Sequence, residues 1–573
     1  MRFNAFVERI YNPMSIRNFS FVATLLILAC SGKKDQAQLE SELSSLNLTR
    51  GDIALCGSGL DKFGTVTFSL SCSELVRENF NLATALLHSF EYTEAEKVFA
   101  KVVDADPRCI IAYWGLAMCN FHPLWAPPGQ NELKKGQGII NVARSISRDP
   151  SSKESEYLEA IATIYDDYDK LDHRTRVLKF EKATEQIYIN YPNDSEAAIF
   201  YALALRAAAD PLDKTYRNQK KAGEILNVVL EKEPNHPGIA HYIIHTFDYP
   251  ELAALALPAA RRYATLAAAS AHAQHMPSHI FTRLGLWDES IQSNLNSISA
   301  AQCYAQNTGI KGHWDEELHG MDYLIYAYLQ KADDDHAREQ IEYLKTITEV
   351  FPANFKDAYS FAAIPSRSAL ERKDWTEAAK LELHQANFPW DQFPWEKAHI
   401  NFARALGAVH IHKLVDAKND LNQLKQIQQN LIESKEISRA NLVSIQINIS
   451  EAWINFYEGH KQEAIELMIA AADKEDLTEK DPVTPGEVLP ARELLGDLYM
   501  EMGEPAKALD AFEANLKRRP NRFNALYGAG LAAQKTGDLK AALHYFQELI
   551  AKANADSKRS ELQMAKAFVN KNL

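Results

Sequence analysis

Apolar positions recur every three to four residues along most of the chain, in runs such as ESEYLEAIATIYDDY, DSEAAIFYALALRAA, KKAGEILNVVLEKEP and DWTEAAKLELHQA. That spacing puts apolar side chains on one face of a helix, and short polar or Gly/Pro breaks end each run. Strand-like alternation is confined to Val66, Phe68 and Leu70, in GSGLDKFGTVTFSLS between Cys56 and Cys72. The pattern predicts helix pairs from residue 76 to about residue 553 and a capping helix ending near Val569.

Near the carboxyl end the helices fall into register. Gly496 and Gly530, Gly503 and Gly537, Ala508 and Ala542, and Phe512 and Phe546 are each 34 residues apart, and Pro520 closes the first unit. This is the tetratricopeptide-repeat (TPR) period, with small residues where helices touch and an aromatic ring filling the gap. Ala95, Phe99 and Pro107 repeat the pattern near the amino end. The expected fold is all-α, a TPR-like right-handed α-solenoid of about twelve helix pairs. Five stretches are expected: 1–30, 31–75, 76–350 with a histidine-lined groove, 351–480 as middle repeats, and 481–573 as C-terminal repeats with a cap. A chain of 573 residues exceeds what one compact core serves, which agrees with a solenoid.

The amino terminus reads as an address. Arg17 precedes an apolar run from Phe21 to Leu28, too short for a mature membrane span, and Ile27-Leu28-Ala29-Cys30 is similar to a bacterial lipobox. Cys30 is the expected lipidation site, with Met14 an alternative start and residues 31 to about 49 a polar tether. Export would permit disulfides, so Cys56 and Cys72 form the candidate bridge of a small Cys-flanked segment, while Cys109, Cys119 and Cys303 read as buried thiols. Lys+Arg 62 against Asp+Glu 76 gives a net charge of −14, which argues against nucleic acid and against a polybasic membrane patch.

The histidines follow the same frame. His241 and His275 are 34 apart, as are His245 and His279, and so are His88 and His122. Eighteen histidines placed at random would give about half a pair at that spacing. Within the repeat these residues fall at first-helix positions that face a concave groove, with His272, His319, Asp322 and Tyr326 beside them. Imidazoles at i and i+4 share a helix face, and a stacked helix about 8 to 10 Å away can add more. His241, His245, His275, His279, His319 and Asp322 are therefore the candidate ligands of a divalent transition metal, Zn, Cu, Fe or Ni, with Asp248 or Glu316 as other carboxylates. His88, His122, His272 and Tyr326 are candidate ligand-groove residues. No HExxH is present, and Pro277 is expected to disturb the His275/His279 pair. Groove contacts to a peptide, and plain packing, are the competing readings. NFPWDQFPW, with Trp390 and Trp395, reads as a hydrophobic plug or an aromatic platform.

The stretches AYWGLAM with HPLWAPP, HPGIAHYIIHTFDYPELA, HMPSHIFTRLGLWDESIQSN and PVTPGEVLPARELLGDL resemble a large family of bacterial TPR proteins, over about residues 80 to 550. The resemblance implies a solenoid with the His-containing stretches as its hallmark, and it implies no particular reaction. Two functions are expected from these observations. One is an envelope-anchored scaffold that binds a protein or peptide in its groove and meets the membrane only through its lipid. The other is a metal-binding protein or metal-dependent enzyme.

Overall fold

The computed structural model describes residues 39, 41–54, 56, 63–384 and 388–572. Helical periodicity becomes helix throughout: among the described residues there are twenty-six α-helices, and the only strand pairing is two residues long, His313–Trp314 beside Val350–Phe351. Helix starts follow local chemistry. Asp172, Asp194 and Ser152 accept from backbone N–H groups of the first turn, and Pro237, Pro277, Pro394 and Pro505 occupy first-turn positions where no N–H is needed.

Neighbouring helices meet by pressing a backbone against a ring. A Cβ placed on Gly528 would come within 2.4 Å of Phe512, on Gly530 within 2.5 Å of Phe546, and on Gly223 within 2.1 Å of Phe247. Only a missing side chain allows that approach, and Gly115 against Phe99 at 2.4 Å repeats it at the amino end, which explains the Gly and Phe register at both ends of the chain.

The superhelix does not leave an open groove over the histidines. Lys214 reaches Glu479 at 2.5 Å, Lys480 reaches Asp248 at 3.2 Å, and the Trp287 indole donates to the Asn521 carbonyl at 2.9 Å. Arg522, with its side chain fully buried, binds Glu371 at 2.7 Å, Glu493 at 2.8 Å and the Tyr326 hydroxyl at 2.7 Å. The C-terminal helices and the segment 478–490 thus close over the inner face, and the expected groove is interior.

Several expectations change. Cys56 does not pair with Cys72: it bonds Cys303, and Cys72 bonds Cys109, leaving Cys119 as the free, buried cysteine among those described. The amino-terminal segment lies against the repeats rather than forming its own loop, so each cysteine meets a partner on a helix hairpin. For the same reason the expected tether is only partly one, since Leu39, Leu43, Leu46 and Leu48 are buried. Val66 and Phe68 are buried as their alternation suggested, but the segment is extended without strand pairing. Cys30 and the apolar run before it lie outside the described residues.

Candidate metal centre

Six histidines from three consecutive first helices meet in the interior as two triads. His241, His245 and His272 form one, and His275, His279 and His319 the other, with the possible ligand atoms of each triad within 4.8 Å of one another. Pro237–Phe247 supplies two, Ala271–His275 two, Pro277–Leu284 one and Asp315–Gln330 one.

In the first triad, His245 Nε2 lies 3.0 Å from His241 Nε2, which lies 3.2 Å from His272 Nε2. His241 Nδ1 donates to the His88 carbonyl at 2.6 Å. A neutral imidazole carries one N–H, so His241 Nε2 is a bare lone pair aimed at two other ring nitrogens. Phe90 stacks on His245 and His272, Tyr263 stacks on His241, and Trp125 meets His272 edge-on at 5.3 Å.

The second triad is more tightly specified. His275 Nδ1 donates to Asn294 Oδ1 at 2.7 Å, and the Asn294 amide nitrogen is fixed by the Ser290 carbonyl at 2.7 Å. His279 Nδ1 donates to Asp248 at 3.0 Å. Both protons are therefore spent on Nδ1, and two lone pairs face each other at 3.1 Å between His275 Nε2 and His279 Nε2. The His319 ring lies 4.1 Å from His275, and Tyr323 covers His279 while donating to the Thr484 carbonyl at 2.8 Å.

Bare lone pairs at this distance repel unless a cation lies between them. Two ligands bonded tetrahedrally to one ion at about 2.0 to 2.1 Å are about 3.3 to 3.4 Å apart, close to the spacings seen here. The second nitrogens are held by a carbonyl, an amide and a carboxylate, which is how ligating imidazoles are normally oriented. Burial takes the His241 imidazole down to about 3 and pushes His245, His272, His275 and His319 well below their ordinary value. At neutral pH all are in the neutral form that binds metal. Although burial opposes it, Lys480 and Arg283 hold the Asp248 carboxylate well below its usual range, so it stays charged behind His279.

The structure brings His241, His245, His275, His279 and His319 together with His272, but not in the pairs that the 34-residue offset suggests. His245 and His279 do not share a donor cluster: their ring centres are 6.4 Å apart, and each joins its own triad. His272, expected to line the groove, lies in the first triad, with its ring turned toward His241. Pro277 does not disturb the His275/His279 pair, since Met276 stays helical at φ −52° and the two short helices run on as one. Asp322 joins neither triad: it is buried against Arg367. Tyr326 binds Arg522 instead of lining a groove. His88 is fully buried, its Nε2 on Glu196 at 2.9 Å and its Nδ1 on the Tyr242 hydroxyl at 2.9 Å. Glu196 also receives His236 at 3.0 Å, so this third cluster of His88, Glu196 and His236 has its carboxylate saturated and acts as a brace behind His241. His122 sits at φ 49° in the loop before Gly129, packed on Tyr92 and 3.5 Å from Glu132. Asn294, Tyr323 and the His88 carbonyl carried no sequence signal, because each matters only through a contact across helices.

The fold and this centre define an all-α protein of helical repeats with a buried polyhistidine cluster. A tetratricopeptide-repeat family model matches residues 494–557, so the C-terminal repeats are of that type. No curated protein matches the sequence. Among solved structures the chain is similar to a tetratricopeptide repeat protein from Parabacteroides merdae, at 12% identity and TM-score 0.28, over 52% of this chain and 97% of that one. It is similar to human IFIT1, solved as a dimer with PPP-AAAA, at 12% identity and TM-score 0.34, over 90% and 99%. Yeast Tom70 follows at 11% identity and TM-score 0.33, over 87% and 96%. At these scores the likeness bears on no residue of the centre.

Proposed function

We propose that this is a metal-binding TPR protein whose six histidines hold two divalent transition-metal ions, one per triad. The observation that carries it is the facing pair His275 Nε2 and His279 Nε2, both deprotonated by their own Nδ1 bonds and 3.1 Å apart. Imidazole donors suit Zn, Cu, Fe and Ni. Three ligands leave a position open: Asp248 is engaged on His279 Nδ1, Arg283 and Lys480, and Glu316 gives one oxygen to Lys356 while its other, 4.0 Å from His272 Nδ1, has no hydrogen-bond partner. An open position on an ion of this kind is where water or a substrate is polarised, which is the enzymatic form of the same reading. The test is elemental analysis of tag-free protein. Two equivalents are expected, falling to one in His275→Ala/His279→Ala and to one in His241→Ala/His245→Ala. Metal-free protein that takes up no added ion, or unchanged content in both variants, would end this reading.

The scaffold reading belongs to a different surface. Leu539 and Met564 are half exposed beside a groove of about 670 Å³ at the carboxyl end, where Phe546 and Phe568 form the floor. A protein or peptide partner fits there, and the acidic balance of the chain disfavours nucleic acid. Leu539→Asp with Met564→Asp should abolish partner binding and leave metal content unchanged.

Two disulfides support an oxidising compartment, which agrees with a lipid-anchored place in a bacterial cell envelope through Cys30. No helix among the described residues is long and apolar enough to cross a membrane. Cys30→Ser should release the protein from membranes; unchanged fractionation would refute the anchor.

A further inference from the structure

A second built site lies outside the histidine centre. Phe355–Glu371, Pro394–His410 and Ile437–Tyr457 enclose, with the segment 478–490, a cavity of about 50 Å³. Its walls are apolar, among them Tyr359, Phe402, Ile445 and Val488. Three polar atoms on these walls have no partner within the protein although each is buried: Trp395 Nε1, His399 Nε2 and Gln446 Oε1. Trp395 and His399 are 3% and 5% exposed, so water outside the cavity does not serve them. Leaving such groups unmet is costly.

The hydrogen-bonding code of these atoms is definite. Gln446 Nε2 and His399 Nδ1 are 2.9 Å apart. With the amide oriented so, His399 Nε2 carries the proton and donates, while Gln446 Oε1 accepts. With the amide turned, His399 Nε2 accepts and the Gln446 nitrogen donates. Either way the pair presents one donor and one acceptor, and the Trp395 indole adds a fixed donor. A primary carboxamide satisfies all three at once: its carbonyl oxygen accepts twice and its NH₂ donates. A carboxylate brings acceptors only and would press one of them on the pair's own acceptor. Room for about three to five waters is room for a short-chain amide.

We propose that this cavity binds a small neutral molecule through its primary carboxamide. The site is independent of the metal reading. Its wall 478–490 also carries Lys480, which holds Asp248, and the Thr484 carbonyl, which takes the Tyr323 proton.

Titration of the full chain with propionamide, 2-butanone and propionate, read by calorimetry and by Trp fluorescence, tests it. Propionamide should bind at least about tenfold more tightly than the ketone, which lacks the donor, and propionate should not bind. Gln446→Leu and His399→Phe should each remove that preference while the helical circular-dichroism spectrum and thermal unfolding stay close to wild type, which shows that the chain remains folded. Equal binding of amide and ketone, no binding of the amide, or a crystal soaked in propionamide that shows ordered water only would each overturn the proposal.

Discussion

The C-terminal repeats and the histidine-bearing repeats solve the same packing problem with opposite contents. Between Ala491 and Lys552 the helix interfaces are Gly and Ala pressed on Phe512 and Phe546, with Arg522 and Glu493 as a buried ion pair at one edge. Between Pro237 and Gln330 the equivalent first-helix faces carry His241, His245, His275, His279 and His319, all buried or nearly so. Yet Gly223 still presses on Phe247 right beside the first triad. The histidines are therefore added to a scaffold that keeps its ordinary contacts, and buried lone pairs facing one another cannot be a source of its stability.

Breaking the clasp between the two regions should have the largest effect. Arg522→Ala leaves Glu371 and Glu493 buried and unpaired, and a loss of about 3 to 5 kcal/mol is expected in denaturant titration. A smaller loss, about 1 to 3 kcal/mol, should follow Gly528→Ala, whose new methyl group would meet Phe512, with metal content intact. The contrasting substitution is His279→Ala. Metal binding at the second triad should be lost, while the stability of metal-free protein should change by less than in Gly528→Ala, because a lone-pair conflict is removed along with the ring. A large loss of metal-free stability would show that the histidines pack rather than bind.

At neutral pH the smallest expected effect is at His399, whose substitution shows only on acidification. Burial lowers the His399 imidazole to about 3, below its unfolded value of about 6.5, so the unfolded chain takes up the proton first. Its contribution is fully present above about pH 6.5 and declines as pH falls toward 3, by ~1.4 kcal/mol per pH unit. His399→Phe should flatten the stability profile by that slope over that window.

What the sequence revealed and what it hid divide along the same line. The Gly and Phe register was legible because equivalent positions recur one repeat apart, and the histidine frame was legible for the same reason. The split into triads was not, because it depends on which way His272 turns and on Met276 remaining helical before Pro277. Cys56 pairs with Cys303 across 247 residues, and Asp322 is claimed by Arg367 on the next first helix. Closure of the C-terminal helices over the inner face rests on Arg522 and Trp287, whose partners are far along the chain. No periodicity encodes such contacts.

Anomalous diffraction from crystals of metal-loaded protein tests the central claim most directly. Two peaks are expected, one about 2.0 to 2.1 Å from the nitrogens of His241, His245 and His272, the other at the same distance from those of His275, His279 and His319. A loaded crystal with no peak at either triad, or a single ion bound through the His88, Glu196 and His236 cluster instead, would contradict it.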